Sequence, residues 1–232
     1  MKVAIMQPYI LPYIGYFQLI ASVDKFVIYD NIKYTKKGWI NRNRMLQNGT
    51  DKVFSIPLAN GSDSLDIVNR QLSSVFSRDK LLNQFRGNYA KAPYFKEVWP
   101  TIESIISFQD DNLFLYIKNS ITAVCDYLDI NSEILVSSSI DADHELDGED
   151  RVVSICHKME AATYINPIGG VELYSKEYFS KAGLELQFLK TGEIVYDQGC
   201  IPMVQYLSIL DVLMFNPLDR VKSLLSSNYE LI

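Results

Sequence analysis

Residues 33–46, KYTKKGWINRNRML, combine cationic, aromatic and amide side chains in a short segment. Arginine can bind a phosphate through two parallel hydrogen bonds, and asparagine can bond to sugar hydroxyls. In a chain with a formal net charge of −6, such a local cluster predicts contact with the diphosphate of a nucleotide-linked sugar. A solvated basic loop is the simpler alternative. The candidate ligand contacts here are Lys33, Trp39, Asn41, Arg42, Asn43 and Arg44.

An apolar, proline-containing stretch near the N-terminus, MQPYILPYIGYFQLI at 6–20, offers a second set of candidates. A glutamine at the end of a strand is costly to bury without partners, and tyrosine rings can stack on a base or a sugar. The stretch therefore predicts a pocket wall, with a packed corner of the core as the alternative. The candidates are Gln7, Tyr9, Tyr13 and Tyr16, whereas Phe17 is expected to face the core.

A third set follows a strand in TYINPIGGVELY, residues 163–174. The Pro-x-Gly-Gly sequence is explained by a turn alone, but a glycine-rich loop also lets a ligand approach the backbone. The candidates are Asn166, Gly169, Gly170 and Tyr174.

Few residues could transfer protons. The chain has two histidines, and His144 lies in an acidic run that is typical of a solvated loop. Asp30, at the end of a predicted strand, and His157, on a predicted helix, are the candidates to take the proton of an amine. Cys156, next to His157, is expected in the core.

Bulk composition excludes several classes of protein. The chain has 232 residues, 48% hydrophobic, and a pI of about 5.0, so it can bury a core and is a poor general binder of nucleic acid. Three scattered cysteines without a CxxC argue against a disulfide framework, and no metal site is expected. The sequence has no long apolar run and no signal-peptide pattern, so a cytoplasmic protein is expected.

The pattern of elements predicts an α/β fold. A strand at 2–6, a helix at 15–22 and a strand at 25–30 form an N-terminal βαβ unit, which favours a mainly parallel sheet. Ligands of such sheets bind beyond the carboxyl ends of the strands. Residues 1–77 and 131–232 are expected to form the α/β core, and 78–130 a helical insertion or subdomain within one compact unit. An apolar helix at 203–215 carries Asp211, which needs a partner if it is buried; Arg42 or Arg44 could supply it.

The ordered set of these segments resembles the WbqC-like protein family. The likeness is carried by the opening stretch, by DKFVIYDNIKYTKKGWINRNRM and YAKAPYF, by RVVSICHKMEAATYINPIGGVELY and by LSILDVLMFN, and it covers nearly the whole chain. Members are found among genes for O-antigen and other surface polysaccharides. The resemblance therefore implies a role in making or modifying an activated sugar.

The first βα unit is also remotely similar to that of HxGH nucleotidyltransferases. Residues 13–16, Tyr-Ile-Gly-Tyr, would occupy the place of that motif. Both histidines are replaced by tyrosine, which can donate a hydrogen bond but carries no positive charge. These replacements argue against adenylyl transfer on this scaffold.

These observations favour an enzyme of surface polysaccharide synthesis that acts on a nucleotide-linked amino sugar by acyl or aminoacyl transfer. One alternative is a non-catalytic protein that binds the nucleotide-sugar; another is a nucleotidyl or glycosyl transferase. The expected partner is a nucleotide-linked sugar or other small molecule and not nucleic acid. The sequence does not identify a cofactor, and it is compatible with a homodimer.

Overall fold

The computed structural model describes residues 1–62, 64–200 and 202–232. The strands are β1 Lys2–Met6, β2 Lys25–Ile28, β3 Arg42–Gln47, β4 Thr50–Ser55, β5 Glu133–Val136, β6 Thr163–Pro167, β7 Glu185–Thr191 and β8 Tyr229–Leu231. The helices are α1 Ile14–Ala21, α2 Arg78–Tyr89, α3 Phe95–Ser107, α4 Leu113–Tyr127, α5 Gly148–Lys158, α6 Lys176–Lys181, α7 Ile209–Phe215 and α8 Leu218–Ser227.

Six strands form the central sheet in the order β5-β2-β1-β6-β7-β8. The first five are parallel to their neighbours, and β8 runs antiparallel to β7. The predicted βαβ unit is present, with Val3 of β1 opposite Lys25 of β2. The α/β class and the mainly parallel sheet are thereby confirmed.

The sheet buries side chains on both faces. Val3 and Ile5 of β1 pack with α5 and α6 on one face, whereas Ala4 packs with α1 on the other. This alternation follows from the two-residue period of a strand. Because β1 pairs with β2 on one side and with β6 on the other, the order of the strands reverses between β1 and β6. Crevices at such switch points are the usual ligand sites of doubly wound sheets.

The helices α2, α3 and α4 occupy most of residues 78–130. Their buried side chains, such as Phe85, Ile102 and Ile117, belong to the same apolar cluster as Phe17 of α1 and Leu213 of α7. Division of the chain into an α/β core and a helical insertion remains a prediction.

Two elements differ from the sequence-based prediction. The basic segment contains a strand, β3, which pairs antiparallel with β4 and buries Asn43 and Met45. The apolar helix expected from 203 begins at Ile209, because the Ser208 side chain accepts a hydrogen bond from the Leu210 amide (3.2 Å) and caps it there.

The prediction of an arginine partner for Asp211 was wrong. Asp211 is fully buried, and the structure surrounds it with neutral donors instead of arginine. Its oxygens accept hydrogen bonds from the Tyr89 hydroxyl (3.0 Å), the Tyr196 hydroxyl (2.7 Å) and the Gln198 amide (2.7 Å).

Candidate functional site

A cavity of about 360 Å³ opens at the switch point of the sheet. Its lining comes from the carboxyl ends of β1, β6 and β7, the loop before α1 and the first turn of that helix, β3 and the segment before it, and the segment before α7. We call it the switch-point cavity. Its lining residues are Met6, Tyr9, Pro12, Tyr13, Gly15, Tyr16, Trp39, Asn43, Arg44, Pro167, Ile168, Leu189, Thr191 and Tyr206.

The loop between β1 and α1 forms one wall of this cavity. Leu11 has a φ of +41°, which is uncommon for a residue other than glycine. The Asn43 amide donates to the carbonyls of Ile10 (3.1 Å) and Leu11 (2.8 Å), and the Ser208 hydroxyl donates to the same Leu11 carbonyl (2.7 Å). These bonds satisfy the buried backbone of an irregular segment and fix its course.

A pair of hydroxyl groups lies on the cavity surface. Tyr13 Oη and Thr191 Oγ1 are 2.6 Å apart, joining the start of α1 to the end of β7. A Cβ atom at Gly15 would lie 2.0 Å from Tyr13 Oη and 2.5 Å from Thr191 Oγ1. Glycine at this position therefore makes room for the pair. Burial raises the pKa of Tyr13, so its hydroxyl keeps its proton at neutral pH.

Aromatic side chains and an arginine form the rim of the cavity. Trp39 is 42% exposed, and the Arg44 guanidinium lies 5.8 Å from the centre of its ring. Arg44 also donates to the carbonyl of Tyr206 (2.9 Å) and faces the carboxylate of Asp51 (3.5 Å). Tyr206 is 70% exposed, and its ring meets Tyr13 edge-on at 6.2 Å. The rim thus offers ring faces and a positive charge to a ligand.

The other candidates from the basic segment serve the fold in this structure. Asn41 donates to the Ile56 carbonyl (2.7 Å) and accepts from the Tyr34 hydroxyl (2.8 Å). Arg42 donates to the carbonyl of Gly38 (2.9 Å) and stacks on Trp39. Lys33 is exposed and bridges to Asp66 through the backbone.

The tyrosines of the opening stretch differ in their roles. Tyr16 is buried, and its hydroxyl donates to the Gln7 carbonyl (2.9 Å), so only part of its surface faces the cavity. Tyr9 packs against Tyr16 and keeps a weak hydrogen bond to the Gln7 side chain (3.4 Å). Tyr9 therefore has the freer hydroxyl of the two. Phe17 is fully buried in the core.

The candidate bases lie apart from the lining. Both carboxylate oxygens of the buried Asp30 accept hydrogen bonds from Ser138, from its amide (2.9 Å) and its hydroxyl (2.7 Å). His157 is exposed on α5, which packs on the face of the sheet opposite α1, and its Nε2 lies 2.8 Å from the Ala182 carbonyl oxygen. The structure does not bring these two residues together.

The third set of candidates follows β6 next to the cavity. Asn166 is buried and accepts from the Tyr164 hydroxyl (3.0 Å), and a Cβ atom at Gly170 would lie 1.9 Å from its Nδ2. Gly170 is therefore explained by close packing within the turn. Gly169 is exposed, and Tyr174 packs against Tyr164. In this loop the cavity is lined by Pro167 and Ile168 instead.

Comparison with known proteins gives a family. The sequence profile described as the WbqC-like protein family matches residues 7–223. The chain belongs to the WbqC-like family. It is also similar to the uncharacterized protein Rv1507c of Mycobacterium tuberculosis, with 30% identity over 223 residues, 93% of each chain. No solved structure matches the chain significantly. The span matched by the family profile contains all the cavity residues except Met6.

Several lining residues, among them Gly15, Thr191 and Tyr206, were not among the candidates from the sequence. Thr191 and Tyr206 are distant in sequence from the opening stretch, and no local pattern connects them to it. For Gly15 the sequence shows only a glycine between Ile14 and Tyr16, and this does not reveal its close contact with Tyr13 and Thr191.

Two of the three cysteines are poorly suited to nucleophilic chemistry. Burial raises the pKa of both Cys125 and Cys156 to about 12, which disfavours the reactive thiolate. Within residues 1–62, 64–200 and 202–232, no group of three or more His, Cys, Asp and Glu could hold a metal ion. Over the same ranges, no helix is long and apolar enough to cross a membrane.

Proposed function

We propose that this protein binds a nucleotide-linked amino sugar in the switch-point cavity and acylates its amine during surface polysaccharide synthesis. The observation that carries the proposal is a cavity at the switch point that combines exposed rings with a guanidinium at its rim. Membership of the WbqC-like family supports the polysaccharide context.

The chemistry of the lining matches such a ligand. Trp39 and Tyr206 expose ring faces on which a base or sugar can stack. Arg44 can donate to a phosphate, and its pairing with the half-exposed Asp51 at 3.5 Å is loose enough to exchange. The first turn of α1 borders the same space, so the partial positive charge of a helix N-terminus adds to the attraction for an anion.

Amide formation suits a site of this kind because it depends strongly on alignment. Holding an amine and an activated acyl group in contact supplies much of the rate gain without a strong enzymatic nucleophile. The hydroxyls of Tyr13 and Thr191 lie at the cavity surface, whereas Asp30 is already bonded to Ser138. The geometry therefore favours the hydroxyl pair over Asp30 and His157 as contacts to the reacting atoms.

Binding without catalysis is the second candidate function. Its supporting observation is the engagement of both Asp30 oxygens by Ser138 and the location of His157 on α5. In that case the protein would present a nucleotide-linked sugar to a separate transferase.

Calorimetric titration with UDP-, dTDP- and GDP-linked amino sugars tests the proposal. We expect one class to bind and Arg44→Gln to weaken its binding at least about tenfold, because a hydrogen bond to a charged group contributes about 1.5–3 kcal/mol. Arg86→Gln is the matched control, because Arg86 pairs with Glu103 on the helical surface. Equal affinity in the two variants, or no binding of any nucleotide-sugar, would overturn the proposal.

Mass spectrometry of the bound sugar after incubation with acyl donors separates the two candidates. A mass gain equal to the acyl group is expected for the enzyme. A bound but unchanged sugar with every donor class would identify the protein as a binder.

A further inference from the structure

A second cavity, of about 300 Å³, adjoins the switch-point cavity. We call it the donor cavity, and we propose that it holds the acyl group of a thioester donor whose carbonyl reaches the switch-point cavity at Tyr13 and Thr191. This inference rests on the proposed function, because the sugar amine must lie on the other side of that junction.

The two cavities meet at shared residues. Tyr13, Thr191 and Tyr206 line both of them. The rings of Tyr13 and Tyr206 meet edge-on, and the Thr191 hydroxyl is hydrogen-bonded to that of Tyr13; we call these shared side chains the partition. The two cavities therefore share a wall to which Tyr13, Thr191 and Tyr206 contribute.

The lining of the donor cavity mixes aliphatic and polar side chains, which suits a neutral group with a short aliphatic part. Ile14, Ile194, Leu207 and Val212 supply aliphatic surface, and Met203 adds a flexible thioether. Among the described residues that line it, the charged side chain is the carboxylate of Glu193, and none is Lys or Arg. A neutral thioester therefore fits this space better than an acyl phosphate or another anionic donor.

The partition places hydrogen-bond donors where the reaction needs them. Of the two hydroxyl protons of Tyr13 and Thr191, one is used in their mutual bond and the other is free to bond to a carbonyl oxygen. The amine nitrogen of the sugar attacks the acyl carbon, a C–N bond forms and the C–S bond breaks. The amine proton leaves with the sulfur as a free thiol. A hydroxyl at the carbonyl oxygen stabilises the negative charge that develops there.

The fold prepares this junction through the chain after β7. The Gln198 side chain donates to the Val204 carbonyl (3.0 Å) and accepts from the Val204 amide (2.8 Å), and it is itself held by Asp211. Tyr206 lies two residues after Val204. Its carbonyl accepts a hydrogen bond from Arg44, and its φ is +57°. The exposed ring of Tyr206 is thus mounted on a backbone fixed from both sides.

Blocking the donor cavity alone tests the inference. The probe is S-propanoyl-N-acetylcysteamine, a neutral thioester without phosphate or base, titrated by ligand-observed NMR alongside the nucleotide-sugar. We expect Met203→Trp to weaken thioester binding at least fivefold and to leave nucleotide-sugar binding equal to that of Met159→Trp. Met159 is the matched control, because it is also partly buried but packs on the other face of the sheet.

Further variants guard against the possibility that Met203→Trp acts by disturbing the fold. Gln205→Trp fills the same cavity from a half-buried position and should reproduce the effect, with folding checked by circular dichroism. Replacement of both hydroxyls, in Tyr13→Phe/Thr191→Val, should retain both ligands and reduce kcat by about a hundredfold, because no donor then remains for the carbonyl oxygen.

The outcomes distinguish the two proposals. Absence of thioester binding, unchanged binding in both tryptophan variants, or mutual exclusion of the thioester and the nucleotide-sugar would overturn the second compartment. Thioester binding that Met203→Trp abolishes, in a protein that binds no nucleotide-sugar, would retain the donor cavity and overturn the proposed function instead.

Discussion

At the scale of residues, the site depends on the close approach of Tyr13 to Gly15. The Tyr13 ring folds over the glycine and reaches Thr191, which lies 178 positions later in the sequence. A side chain at position 15 would occupy the space of both hydroxyls. Gly15 is therefore tied to the geometry of the cavity wall as well as to the start of a helix.

Gly15→Ala should break the Tyr13–Thr191 pair. We expect a loss of about 1–3 kcal/mol in the free energy of unfolding, the usual cost of overpacking. The loss should be smaller in a Tyr13→Ala background, because the added methyl group then loses one of its two clashing partners. Urea unfolding of the four proteins of this double-mutant cycle measures the coupling.

Gly87→Ala provides the control for a glycine substitution. Gly87 lies inside α2, where an added Cβ atom meets nothing within 4 Å. The change should leave stability unchanged or raise it by up to about 1 kcal/mol through helix propensity. If Gly15→Ala behaved like Gly87→Ala, the close packing at Tyr13 would be contradicted.

At the scale of elements, the buried carboxylate of Asp211 joins three parts of the chain. Tyr89 comes from α2, Tyr196 and Gln198 come from the segment after β7, and Asp211 lies in the first turn of α7. Burial raises the pKa of Asp211 above its usual value near 3.8, and the three hydrogen bonds offset part of that rise. The network holds the segment that carries Tyr206 against the helices.

Asp211→Asn should lower the free energy of unfolding by about 1–3 kcal/mol. The NH2 group of the new asparagine would face a hydrogen-bond donor in place of an acceptor, and that donor would lose its partner. The difference from the wild type should depend on pH. A folded-state pKa above the unfolded one makes the folded state bind the proton more tightly. The wild-type contribution is therefore complete below about pH 3.8 and declines as the pH rises through the folded pKa.

Urea unfolding of both proteins at about pH 4 and about pH 7 checks this sign, since the stability difference should be larger at the lower pH. Asp126→Asn, at an exposed carboxylate on α4, is the control and should show neither effect. A difference that grew with pH would contradict a raised pKa for Asp211.

At the scale of the whole molecule, one apolar cluster connects the sheet, the β3–β4 hairpin and the three central helices. Phe54 of β4 meets Phe85 of α2 edge-on at 4.9 Å, and the Tyr94 amide donates to the Met214 carbonyl of α7 (3.1 Å). Packing of this extent predicts that residues 78–130 unfold together with the rest of the chain.

The two tryptophans report on the two regions separately. Trp39 lies on the rim of the switch-point cavity and Trp99 lies in α3. We expect Trp39→Phe and Trp99→Phe each to show a fluorescence transition at the same denaturant midpoint as its circular dichroism, the test of a two-state reaction. A separate transition for Trp99 would show that the central helices form an independent subdomain.

The sequence by itself determined the α/β class, the first βαβ unit and the position of the opening stretch beyond the end of β1. These features depend on the hydrophobic periodicity of short segments and on the rules for connecting consecutive strands and helices, both of which involve residues close in sequence. It also marked Trp39, Arg44 and Tyr13 by their chemical types.

Only the tertiary structure decided which of the polar residues face the cavity. Asn41 and Asn43 carry the amide expected of a sugar contact, yet both amides donate to backbone carbonyls of other segments, and Asn43 lines the cavity with its donor group already engaged. The tertiary structure places Thr191 and Tyr206 in the cavity lining. It also gives Asp211 tyrosine partners, where the sequence had suggested arginine. Hydrogen bonds between segments distant in sequence are set by the packing of the sheet against its helices, and no local pattern encodes them.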